Sequence, residues 1–106
     1  MQSPLRDFEF RADISDPHPA TNGHFAGNPL IPGVVILEYV RVALTQLDAD
    51  LVLQRFNRVK FTSPLKPGNQ LIVRLSSKDS RLFRFSCVDA GQSTIASGEF
   101  SAQRNG

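Results

Sequence analysis

The sequence predicts an α+β domain in which one antiparallel β-sheet wraps around a single long central α-helix. Three observations lead there. The 106 residues, 41% hydrophobic and 21% charged, suit one globular domain spanning 1–106. Val34 to Leu44 is apolar at every position except Glu38 and Arg41, a run long enough to favour a helix over a strand. The segments that follow alternate in polarity and are separated by short Gly/Pro/Asn/Asp/Ser clusters, as strands joined by turns should be.

Leu5 to Ile14 reads as the first strand, with Phe8 and Phe10 alternating. Ser15 to Pro32 holds four of the seven prolines, two glycines and two asparagines, and reads as a loop. Structureless loops of this length inside small domains tend to be functional. Gly33 to Leu47 is the helix, with Pro32 just before it as a start signal. Its apolar character nearly all round predicts a buried helix. Strands are expected over Leu51–Phe61, Gln70–Ser76, Arg81–Asp89 and Ser93–Gln103. The turns between them are Ser63–Asn69, Lys78–Ser80 and Ala90–Gln92, short enough to predict antiparallel pairing of the strands they join.

Composition narrows the function classes. No apolar run approaches the roughly 18 residues that cross a bilayer, and no basic segment followed by an apolar one marks a signal peptide, so no membrane association is expected. Cys87 is the single cysteine and has no partner for an internal disulfide, which fits a reducing, cytoplasmic setting. No Cys/His spacing suits a metal, and no metal or cofactor is expected. The net charge of +2 is too mild to argue for nucleic acid, and exposed aromatics are not interleaved with the basic residues. The charge is uneven, however. Arg55 to Arg84 carries eight basic residues against one acid, Asp79, while the first fifty residues lean acidic. Solvated strand faces explain such a run most simply; the functional reading is an anionic partner.

Three features carry chemistry. Glu38 sits in an apolar run with Val34 and Val42 four residues to either side, so burial and a raised pKa are expected. The plainer readings are that it reaches outward or pairs with Arg41 or Arg11. His24 lies in the Gly/Pro/Asn-rich loop and titrates near neutrality, which suits general acid–base work; most loop histidines have no such role. Pro32-Gly33-Val34 opens the helix, where free N–H groups favour negative charge and could hold a carbonyl oxygen becoming enolate-like.

Taken together, Gly23-His24-Phe25-Ala26-Gly27-Asn28-Pro29-Leu30-Ile31-Pro32-Gly33-Val34, with Glu38 fourteen residues after His24, resembles the active-site segment of the hot-dog-fold 3-hydroxyacyl-[acyl-carrier-protein] dehydratases. That pattern reads G-H-F-P-x-x-P-x-x-P-G-V, then an acid. Arg58-Val59-Lys60-Phe61-Thr62-Ser63-Pro64-Leu65-Lys66-Pro67-Gly68-Asn69-Gln70-Leu71 is similar to the family's strand-turn-strand ending in P-G-D-x-L. Two positions depart: Ala26 replaces the proline after His-Phe, and Val42, beside Arg41, stands where fatty-acid-synthesis members commonly have Gln. His18-Pro19-Ala20 resembles accessory members of specialised lipid or polyene pathways, with His18 an ordinary loop residue.

The resemblance implies a hot-dog fold and dehydration of a 3-hydroxyacyl thioester to the trans-2-enoyl thioester. It casts His24 as the base on the α-proton, Glu38 as the acid that helps the β-hydroxyl leave, and the Gly33 N–H, with Val34, as the carbonyl-binding group. It implies an acyl carrier protein or coenzyme A thioester as substrate and a homodimer, or a higher oligomer of dimers, in which His24 of one subunit faces Glu38 of the other. Arg55, Arg58 and Arg81 are the residues chosen from the basic run as a carrier-docking surface. A thioesterase on the same fold could use Glu38 to activate water but leaves His24 unexplained. A non-catalytic acyl-carrier or acyl-CoA binding domain would not require the His24/Glu38 pair.

Overall fold

The computed structural model describes residues 7–15 and 30–105. Within them the order is β1 (Asp7–Asp13), α1 (Gly33–Leu47), β2 (Leu51–Phe61), β3 (Gln70–Ser77), β4 (Leu82–Asp89) and β5 (Thr94–Arg104). The strands form one antiparallel sheet in the order β1-β3-β4-β5-β2, with α1 packed on one face. This is the hot-dog arrangement that the motif resemblance implies.

Alternation builds the face under the helix. Val73, Leu75, Phe83, Phe85, Cys87 and Phe100 are buried there, and the register sets Leu75 beside Phe85 and Phe83 beside Phe100. The Phe83 and Phe100 rings stack at 5.3 Å, while Phe56 meets Phe85 and Phe100 edge-on at 5.7 and 6.0 Å. Each such side chain contributes about 1.5–3 kcal/mol by leaving water. Burial pushes the Cys87 thiol up to about 12, so it stays protonated and serves as a small core residue. Across from the sheet, α1 buries Ile36, Val40, Ala43 and Leu44, spaced along one stripe of a 3.6-residue helix.

Two expectations need correction. The helix is covered on one stripe only: Val34, Glu38, Arg41 and Thr45 are exposed on the other side. A single five-stranded sheet curls around one face of α1, so the apolar residues near its start remain open. Secondly, β2 and β3 do not pair although only a short segment joins them; β2 crosses to the far edge beside β5. Pro64 and Pro67 supply no N–H for a hairpin, and Leu65 is buried in the core between them. The segment is tied instead to chain around it: Ile31 N–H donates to the Leu65 carbonyl at 2.8 Å, Gly68 N–H to Ile14 at 2.7 Å, and Ile14 N–H to Asn69 at 2.9 Å. Gly68 takes a positive φ of 90°, which glycine adopts without strain.

Candidate active site

The crossover and the helix start meet at one place. Pro32 takes the N-cap position with extended backbone (φ −61°, ψ 147°), and among the described residues no side chain caps the helix. The Val35 and Ile36 N–H groups both donate to the Pro32 carbonyl, at 3.0 and 3.3 Å. The first-turn donors outside these two bonds are Gly33 and Val34, whose N–H groups no intrahelical carbonyl can reach. They carry the positive end of the helix dipole, favourable for an oxygen gathering negative charge.

Beside them runs a groove of about 460 Å³ whose lining includes Leu30, Ile31, Gly33, Ile36, Phe61 and Leu65. Ile31, Ile36 and Leu65 are buried, whereas Leu30 is 43% and Phe61 51% exposed. Val34, at 74%, is the most exposed large hydrophobic residue described. An uncapped helix start edged by open apolar surface suits a ligand with a polarised carbonyl and an apolar tail.

Glu38 lies one turn past Val34 on the same open side. Its side chain is 57% exposed, which corrects the expectation of burial and a raised pKa. Arg41 donates from Nε at 3.0 Å to Glu38 Oε2 and from Nη2 to the same oxygen. Hydrogen bonding from Arg41, reinforced by its charge, holds the Glu38 carboxyl below the ordinary carboxylate range. The plainer reading, pairing with Arg41, is therefore the one the structure bears out. Along the axis, Gly33 and Glu38 stand about 7.5 Å apart at 1.5 Å per residue.

His24, the expected base, lies outside the described residues, as do His18 and Ala26. Val42 is half-buried, one turn past Glu38 along the same row as Val34. Arg55 and Arg58 are exposed on the edge strand β2, and Arg81 is exposed at the β3–β4 turn. Arg58 reaches Glu99 at 3.6 Å, and Glu99 is shared with Lys78 at 2.9 Å and Arg84 at 3.6 Å. The hydrogen bond from Lys78, with the charges of Lys78 and Arg58, holds Glu99 below its ordinary value. The basic run thus folds into a surface where one carboxylate serves three cations. Among the described residues no group of three or more His, Cys, Asp or Glu side chains could hold a metal, and no helix is long and apolar enough to cross a membrane.

Sequence reasoning missed Phe61. It ends β2 opposite buried Ala96, immediately before a segment that leaves the sheet, and neither relation can be read from the residues alone.

Comparison with known proteins agrees with this geometry. A model of the ApeI-like family, described as ApeI dehydratase, matches residues 1–99. The 3-hydroxyacyl-[acyl-carrier-protein] dehydratase FabZ of Bartonella bacilliformis is 36% identical over 101 residues, covering 84% of this chain and 64% of that protein. FabZ of Bartonella quintana is 41% identical over 86 residues, covering 71% of this chain and 54% of that protein. The chain therefore spans less than two thirds of these relatives' length. Among solved structures, an uncharacterized protein from Erwinia carotovora subsp. atroseptica superposes with a TM-score of 0.83 at 25% identity, covering 98% of this chain and 88% of that one. The dehydratase heterocomplex ApeI:P from Xenorhabdus doucetiae shares the fold, with a TM-score of 0.79 at 24% identity over 98% of this chain and 93% of that one.

Proposed function

We propose a function from one premise: the chain belongs to the family of ApeI-like dehydratases. It dehydrates a 3-hydroxyacyl thioester, carried on an acyl carrier protein or coenzyme A, to the trans-2-enoyl thioester in fatty-acid or related lipid or polyene biosynthesis. The observation that carries this reading is the placement of an uncapped helix start, Gly33–Val34, and an accessible carboxylate, Glu38, on one open side of a single helix.

The chemistry suits these groups. An α-proton becomes acidic only as the thioester carbonyl gains negative charge, which the Gly33 N–H, aided by Val34 and the helix dipole, would stabilise. His24, fourteen residues before Glu38 in the motif, is the base on that proton. Glu38 delivers a proton to the departing β-hydroxyl, since hydroxide is a poor leaving group. The step balances as loss of one water, with no metal or cofactor invoked.

The site is completed by a second copy in a homodimer. The open side of α1 and the position of β2 at the edge of the sheet support this, because Val34 otherwise leaves apolar surface in water. The carrier docks on the basic surface that includes Arg55, Arg58 and Arg81, where one carboxylate, Glu99, is shared by Arg58, Lys78 and Arg84. A cytoplasmic setting fits the single buried, unpaired Cys87.

The direct test offers purified protein a series of 3-hydroxyacyl thioesters and follows enoyl absorbance. Enoyl product with the thioester intact is expected. Release of free thiol without enoyl product would make the protein a thioesterase instead.

A further inference from the structure

We infer that Phe61 determines which acyl chains the site accepts, by walling the groove beside the carbonyl-binding helix start; this rests on the dehydratase reading above. Phe61 ends β2 on the face turned toward α1, opposite Ala96, which is fully buried. Its neighbour Val59 is partly buried against the core, yet Phe61 keeps half its surface open. The tip of its ring lies against Gly33. A β-carbon at position 33 would stand 2.7 Å from Phe61 Cζ and 3.0 and 3.2 Å from its two Cε atoms. Gly33 is not in the left-handed region, so the ring, and not the backbone conformation, is what requires glycine there.

The groove starts at that contact. Its lining joins the buried Ile31, Ile36 and Leu65 to the exposed Leu30 and the Phe61 ring. Phe61 cannot drift from this position, because the next two residues are anchored: the Thr62 and Ser63 N–H groups both donate to the Ile95 carbonyl, at 2.9 and 3.3 Å. A thioester whose carbonyl oxygen sits at the Gly33 and Val34 N–H groups therefore has its adjoining apolar carbons against the ring. The occupant is the acyl portion of the substrate. A groove of about 460 Å³ with one fixed aromatic wall discriminates by length and branching.

The experiment measures kcat and KM for 3-hydroxyacyl thioesters of increasing length, straight and branched, with wild type, Phe61→Leu and Phe61→Ala. Wild type is expected to favour a narrow range of lengths. Phe61→Ala should raise KM for the favoured chain by about tenfold, the scale of one or more lost hydrophobic contacts in a pocket, with kcat within a few-fold. Bulkier chains should lose less or gain, and Phe61→Leu should fall between. Gly33→Ala should lower the melting temperature of wild type but not that of Phe61→Ala, where the β-carbon has room. A chain-length profile that survives both Phe61 substitutions, or a uniform loss of kcat at every length, overturns the role of Phe61 while leaving the dehydratase reading intact. A wild type inactive on every thioester overturns both.

Discussion

Arg41 grips Glu38 from three residues further along the helix, with two nitrogens on one carboxylate oxygen. Both side chains are more than half exposed, so the pair adds little to stability. Its weight falls on protonation: a carboxyl held below its ordinary value is ionised at neutral pH, while a proton donor must be protonated. On the proposed mechanism, Arg41 therefore sets the pH range in which Glu38 can donate a proton.

Replacing Arg41 by Gln removes the hydrogen bonds and the charge that depress Glu38, so its pKa rises toward the ordinary carboxylate range. Activity that needs protonated Glu38 falls as pH rises through that pKa. The alkaline limb of the kcat profile is therefore expected at higher pH in Arg41→Gln, with the melting temperature barely changed. Superimposable pH profiles for the two proteins would show that Arg41 does not govern the acid.

Glu38→Gln keeps the shape and removes the proton and the charge. Turnover should drop by about two orders of magnitude or more, the usual scale for acid–base groups. Burial would have made this substitution stabilising; the exposed carboxylate instead predicts an unchanged melting temperature. Near-normal turnover would reduce Glu38 to one half of a surface ion pair.

A site shared between subunits has an arithmetic signature. His24→Ala and Glu38→Ala chains, each inactive alone, are co-refolded in equal amounts. Random mixing makes about half the dimers mixed, and each mixed dimer holds one intact His24–Glu38 pair out of two sites. Roughly a quarter of wild-type activity should return. No recovery, with mixed dimers demonstrated by mass, would place both residues in one subunit.

Gly98 on β5 lies close against the backbone of β2. A β-carbon there would collide with the Arg58 carbonyl oxygen and lie 2.9 Å from the Phe85 ring. Backbone cannot yield as a flexible side chain can, so Gly98→Ala should force β2 outward at its register shift between Phe56 and Arg58. A loss of about 1–3 kcal/mol in urea unfolding is expected, the range for overpacked cores. An unchanged unfolding midpoint would mean that the edge strand has slack.

Much of this was legible in the residues. The helix over Gly33–Leu47 and the strand over Leu51–Phe61 are observed with the bounds the sequence predicts, and the later strands differ by a residue or so at their ends. Periodicity and turn chemistry are local, and they sufficed there. The destination of β2 was not legible, because a seven-residue link reads the same whether it closes a hairpin or crosses the end of a sheet. Only burial of Leu65 and its bond to Ile31 decide between the two. Glu38 shows the same limit: its apolar neighbours are real, but which stripe of the helix meets the sheet is a tertiary fact. The Gly33–Val34 helix start was readable from Pro32, whereas the ring of Phe61 against it required two elements to meet in space.

The crossing of β2 to the far edge also orders events in time. Its register joins residues as distant as Leu51 and Arg104, and Thr62 and Ser63 find their carbonyl on Ile95. Closing so long a span is entropically slow compared with forming the β3–β4 hairpin, whose partners are near in sequence. During synthesis, the strand ending in Phe61 emerges well before β5 and must wait without a neighbour until the last of these strands is made. The aromatic side of the groove beside the helix start is thus among the latest parts of the protein to acquire its support. Until then an eleven-residue strand rich in Leu, Val and Phe stands unpaired, the interval in which a nascent chain is most open to wrong partners.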